Sequence, residues 1–123
     1  MNMETKAGML EYCKQVAKKN NWILNKDEHT LNDLLDGLVD NKKKMGYQSC
    51  PCRLASGKRE LDRDLICPCD YAQKDVPEFG ACYCNLYMRK NYYESIGKKY
   101  INVPERRPIE KENAVLEYLN EQL

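Results

Sequence analysis

The chain has 123 residues, 32% of them charged, and its 20 basic and 19 acidic side chains nearly cancel to a net charge of +1. That length suits one domain with a modest core, so residues 1–123 are expected to form a single unit. The even charge balance offers no global attraction for nucleic acid, and no apolar run is long enough to span a membrane. With no secretory signal at the start, a cytoplasmic protein with neither nucleic-acid nor membrane partners is expected.

From Glu4 to Lys19 the apolar residues Met9, Leu10, Cys13, Val16 and Ala17 recur at helical spacing, and Asn20-Asn21 offers a stop. Trp22–Leu24 reads as a short linker packed into the core. A second helix begins near Asn25 or Asp27 and carries Leu31, Leu34, Leu35, Leu38 and Val39 on one face. It ends at Gly46, with Lys42–Lys44 complementing the helix dipole. A short helix is expected from Lys58 to Asp64. The stretch "DYAQKDVPEFGA", holding Pro77 and Gly80, reads as a loop, and "NLYMRKNYYESIGKKY" reads as helical. "NVPERRP" at Asn102–Pro108 is extended, because proline disfavours helical geometry in the residue before it. A closing amphipathic helix, "IEKENAVLEYLNEQL", places Ile109, Val115, Leu116 and Leu119 on its apolar stripe. The expected fold is mainly α, a small helical domain with irregular cysteine-rich loops.

Six of the seven cysteines lie between Cys50 and Cys84, as C-P-C, C-P-C and C-Y-C. A reducing compartment and an odd count argue for metal or redox chemistry over a disulfide framework. One intervening residue brings two sulfurs to one centre, and proline stiffens two of the pairs. A 4Fe–4S cluster takes four thiolates, which leaves two for a redox disulfide. Zinc sites favour wider C-x2-C to C-x4-C pairs, and the bacterial ferredoxin run is missing. Spacing alone does not select which four cysteines bind.

The order C-P-C, C-P-C, C-x-C, followed by "PERRP", resembles the catalytic subunit of ferredoxin:thioredoxin reductase, with a particular likeness to its stand-alone archaeal and bacterial relatives, the ferredoxin-dependent disulfide reductases. The resemblance covers about Leu31 to Pro108. It implies a helical protein whose cysteine-rich loops enclose one 4Fe–4S cluster beside an active-site disulfide. Ferredoxin would be the electron donor and thioredoxin or a thioredoxin-like protein the acceptor, with a companion subunit left open. Carried over by motif, the ligands are Cys50, Cys67, Cys69 and Cys82, and the redox pair is Cys52 and Cys84. Cys52 is then the nucleophile and Cys84 the cluster-side partner, while the neighbouring Arg53 is expected to favour the Cys52 thiolate.

Two features depart from the plant-type pattern. Tyr83 stands where the family has a histidine associated with proton movement, and a phenol with a pKa near ~10 is a poorer acid–base group at neutral pH. The gaps between pairs, 14 residues (53–66) and 12 (70–81), are also nearly equal. Tyr83 is retained as a candidate catalytic residue beside a packing role.

Cys13 is expected as a buried structural thiol and His29 as an exposed first-turn residue. The bases Lys42–Lys44, Arg53, Lys58, Arg59, Arg89, Lys90, Lys98, Lys99, Arg106 and Arg107 either dock an acidic ferredoxin or form a solvated surface, with Arg106 and Arg107 also placed to tether the C-terminal segment. Tyr71, Tyr87, Tyr92, Tyr93 and Tyr100 pack the core or form a contact surface. Two other functions stay open: a zinc-binding module, and a simple iron–sulfur electron carrier.

Overall fold

A computed structural model describes residues Met1–Leu123. Helix α1 spans Lys6–Asn20; the Thr5 side chain caps its start and Asn21 ends it in the left-handed region at φ 61°. Strand β1 follows at Trp22–Leu24. Helix α2 spans Glu28–Met45, its first turn capped by Asp27, which accepts bonds from the Thr30 amide and hydroxyl. Gly46 closes α2 at φ 87°, a conformation that costs glycine little. Both helices match their expected spans to within two residues.

The cysteine region that follows holds more regular structure than its sequence announces. Helix α3 is only Arg59–Asp62, continued by a 3-10 turn at Arg63–Leu65. Residues 72–79 form helix α4, Ala72–Phe79, where a loop was expected. Pro77 forfeits one backbone bond there, but Ala72 and Val76 are buried on the core side, and Gly80 at φ 97° caps the end by donating to the Val76 carbonyl. Burial outweighs the lost bond.

Residues 85–100 depart from a helix as well. They begin with strand β2 at Tyr87–Arg89, which pairs antiparallel with β1 through Trp22 with Arg89, Ile23 with Met88 and Leu24 with Tyr87. Only the four residues of α5, Tyr92–Ser95, are helical. The expected linker at Trp22–Leu24 is therefore half of a two-stranded sheet. Helix α6 spans Ile109–Glu121, but its buried residue is Val115, while Ile109 and Leu116 face solvent. Of the expected stripe, Val115 and Leu119 face the body, where Ala114 and Tyr118 join them in place of Ile109 and Leu116.

The larger core cluster joins α1, α2, β1, α4 and β2 and includes Cys13, Cys67, Cys69 and Cys82. A smaller one, of Ala81, Met88, Tyr92 and Val103, lies on the other side of β2. The six helices and cysteine-rich loops agree with a mainly helical fold, to which a two-stranded sheet is added. No helix is long and apolar enough to cross a membrane.

Candidate active site

Each cysteine pair is fixed by backbone bonds on its flanks. Ser49 and Ile66 form an antiparallel bridge, Cys50 donates to the Leu65 carbonyl (2.8 Å) and Cys67 to the Gln48 carbonyl (2.9 Å). The first two pairs are thereby held side by side. The Cys67 carbonyl accepts from the Tyr12 hydroxyl (3.0 Å) and the Gln48 side chain (3.2 Å). The third pair occupies the turn between Ala81 and Met88, which bridge each other, and Cys82 donates to the Tyr87 carbonyl at 2.9 Å.

Proline in the first pair also sets a close contact with α2. A Cβ added to Gly37 would stand 2.7 Å from Cβ of Pro51, so only glycine lets this loop approach the helix so closely. The next loop hangs on buried Asp62, which accepts bonds from the Ser56 amide and hydroxyl, the Gly57 amide and the Tyr47 hydroxyl. These contacts fix Cys50 and Cys52 from both directions.

The sulfurs divide between two spaces. A narrow hollow is lined by Cys50, Cys67, Cys69, Cys82 and Cys84, together with Arg53, Ala72, Tyr83 and Tyr87. An open groove beside it is lined by Cys52, Tyr83, Cys84, Tyr100 and residues 102–105. Cys50, Cys67, Cys69 and Cys82 are buried, Cys84 is half-buried and Cys52 is exposed. Only Cys84 and Tyr83 border both spaces.

The thiols perturb one another. Hydrogen bonds from Cys52 and Cys84 hold the Cys50 thiol well below its usual range, and Cys84 does the same, more weakly, for Cys82. Cys52 is pushed up to about 12, chiefly by its hydrogen bond to Cys50, against an opposing one with Cys84. Burial likewise raises Cys67, and it lifts Cys69 to about 11 against the opposing charge of Arg53.

Arg53 does not serve Cys52 as expected. Its side chain is 4% exposed and turns inward, donating to Sγ of Cys69 at 3.4 Å and Sγ of Cys50 at 3.9 Å. Its other nitrogens grip both Glu105 oxygens at 2.8 and 2.6 Å, and its plane lies 4.2 Å from the Tyr83 ring centre. The carboxylate and the two sulfurs hold the guanidinium away from the exposed thiol. Tyr83 thus stacks on a cation, and burial raises its phenol further above 10, with Glu105 adding and Arg53 opposing.

Glu105, Arg106 and Arg107 form a strap across the site. Glu105 pairs with Arg53, Arg106 with Asp75 and Glu78, and Arg107 with buried Asp64 at 2.8 Å. Asn85, directly after Cys84 and left-handed at φ 63°, exchanges two hydrogen bonds with the Ile101 backbone and so ties the strap's approach to the third pair. Glu105, Asn85, Tyr87 and Gly37 were not picked out as site residues from the sequence. Of these, Glu105, the acid in "PERRP", carried the nearest signal. Arg53, Arg106 and Arg107 leave the set of bases free to dock a partner, and Arg89 is bonded to the Pro77 carbonyl and Ser95.

Cys13 is fully buried and pushed up to about 11 by burial, as befits a structural thiol. His29 is 86% exposed and meets only Asp33. Tyr87 and Tyr92 are core residues, whereas Tyr100 is 60% exposed at the groove.

Fold and site together define a small helical protein built round a thiol-lined hollow with an exposed thiol at its mouth. The chain belongs to the ferredoxin thioredoxin reductase catalytic beta chain family, which it matches over residues 2–115, from before α1 to the middle of α6. This is a family of disulfide-reducing oxidoreductases. No curated protein matches the chain.

Proposed function

We propose that the protein reduces the disulfide of thioredoxin or a similar small protein with electrons from a ferredoxin, using a 4Fe–4S cluster and the Cys52–Cys84 pair. The observation that carries this reading is the division of the thiols. The four cysteines carried over as ligands all line the hollow, Cys52 lines only the groove, and Cys84 lines both.

The donor set suits the cluster. Five thiols line the hollow, and the four buried ones among them are the number a 4Fe–4S cluster takes. Cys50, Cys67, Cys69 and Cys82 would hold the group, which supplies electrons singly to a bond that takes two.

Substrate chemistry falls to the other two cysteines. Reductive opening of the Cys52–Cys84 bond leaves Cys52 as a thiolate, which attacks one sulfur of the substrate disulfide, forming a mixed disulfide and expelling the other substrate thiolate. The Cys84 sulfur then attacks Sγ of Cys52, which re-forms the Cys52–Cys84 bond and releases the second substrate thiolate. Two electrons, delivered one at a time by ferredoxin, reopen that bond for the next cycle. Tyr83 keeps its proton at neutral pH, so it serves as the wall between the two spaces and as the stacking partner of Arg53, not as a base.

Iron and sulfide analysis paired with a free-thiol count tests the reading. Four irons, four sulfides and a gain of two thiols on reduction are expected. Zinc without sulfide would show a zinc module, and a cluster with no thiol gain would show a simple carrier.

A further inference from the structure

Two residues outside the cysteine motif supply a donor to each of the four sulfurs assigned as ligands. Nη1 of Arg53 points at Sγ of Cys69 (3.4 Å) and Sγ of Cys50 (3.9 Å). Tyr87 serves the other two: its backbone N–H donates to Sγ of Cys82 at 3.3 Å, and its hydroxyl, 3.9 Å from Sγ of Cys67, accepts from the free thiol and would donate to that sulfur once it is a ligand thiolate. We propose that Arg53 and Tyr87 are the positioning pair that sets the reduction potential of the centre held by Cys50, Cys67, Cys69 and Cys82.

The physical reason is general. A donor aimed at a ligand sulfur stabilises the state carrying more negative charge, so reduction becomes easier and the potential rises. The effect is strong where water does not compete, and both residues meet that condition. Tyr87 is 1% exposed, its ring packed against Trp22 at 5.3 Å. Arg53 cannot swing into solvent, because Glu105 grips it with two bonds and Tyr83 and Tyr71 lie within 4.2 and 5.3 Å of its guanidinium carbon. Glu105 offsets part of the cation's charge, which makes it a counterweight on the same setting.

This inference rests on the cluster reading, so the experiment separates the two. Cluster content is measured first in the wild type, and midpoint potentials are then taken by spectroelectrochemistry on loaded proteins. Tyr87→Phe removes one O–H and keeps the ring, and its potential should become more negative. Arg53→Gln should shift it the same way, and Arg53→Lys by less, because the charge is kept. Glu105→Gln should shift it the opposite way, since a negative charge is lost while Arg53 remains.

A purely structural role would lower the melting temperature of these variants with the potential unmoved, and that result overturns the proposal. Should Tyr87→Phe fail to load, 3-fluorotyrosine placed at position 87 strengthens the donor within nearly the same shape. Its potential should then rise, and an unchanged value removes Tyr87 from the pair. A wild type without iron and sulfide overturns both this proposal and the cluster reading, whereas a loaded wild type with unshifted variants overturns this one alone.

Discussion

Sγ of Cys50 and Sγ of Cys84 lie 3.9 Å apart, although Cys50 is walled into the hollow and Cys84 also borders the open groove. Cys84 is therefore the one sulfur that borders both spaces, and it meets the candidate ligand Cys50 as well as the exposed thiol Cys52. The two-residue spacing within each pair leaves it little room to drift.

Exposure orders the reactivity of the thiols. After reduction, iodoacetamide should label Cys52 first, Cys84 more slowly, and the buried cysteines only on unfolding, as peptide mass mapping would show. Cys52→Ser should keep its iron while losing disulfide-reductase turnover by about three orders of magnitude or more. Full turnover in that variant would overturn the proposed chemistry, and first labelling at Cys84 would reverse the two roles.

Gly37 is a packing requirement of the first cysteine pair. In Gly37→Ala, alanine gains about 1 kcal/mol of helix propensity but drives its Cβ into Pro51 Cβ at 2.7 Å. Overpacking of this kind costs about 1–3 kcal/mol. A net loss of about 1 kcal/mol is expected in urea unfolding, together with an altered rate of Cys52 alkylation because the loop must move. An unchanged rate would show that the contact relaxes elsewhere.

The Arg107–Asp64 pair is nearly dry, with side chains 4% and 5% exposed. Arg107→Met should cost about 3–5 kcal/mol by leaving Asp64 charged and unpaired, and adding Asp64→Asn should restore much of it. Equal stability of the single and double variants would mean the pair is not coupled.

Acid should weaken the strap. Burial pushes the Asp64 carboxyl upward, but hydrogen bonds from Arg107 and Tyr71 outweigh it and hold the group below its ordinary value. Glu105 is held low in the same way, burial being outweighed by Arg53. Their stabilisation is complete above the unfolded carboxyl pKa of about 4 and disappears as pH falls through the lower folded values. The urea midpoint should stay flat from neutral pH to about 5 and fall below about 4, more shallowly in Asp64→Asn.

Tyr83→Phe tests the wall against the proton donor. Phenylalanine preserves the stack on Arg53, so turnover should stay within about threefold of the wild type. A loss of a hundredfold or more would return Tyr83 to proton transfer, where general acid–base catalysis contributes about that much.

The long helices were legible because their signals are local. Five apolar positions in α1, the Asp27 cap and the Gly46 stop each act within one or two turns. The cysteine pairs were legible because thiol spacing constrains ligand geometry almost regardless of context. Other features depend on distant partners. Helix α4 holds a proline that reads as a breaker, and only burial of Ala72 and Val76 keeps it helical. Strands of three residues carry too short a period to register, and Tyr87 gave no sign of pairing with Leu24 across more than sixty residues. Arg53 was read by its neighbour in sequence, whereas Glu105, fifty-two residues away, decides where it points.

The order of the chain gives the strap one further meaning. All six paired cysteines precede residue 85, and the segment that engages Arg53, Asp64 and Asp75 begins twenty residues later. During synthesis every thiol of the hollow is therefore made before the three residues that fasten the strap. A chain cut short before Glu105 would keep all its cysteines yet leave Arg53 and the buried carboxylates of Asp64 and Asp75 without the partners that hold them.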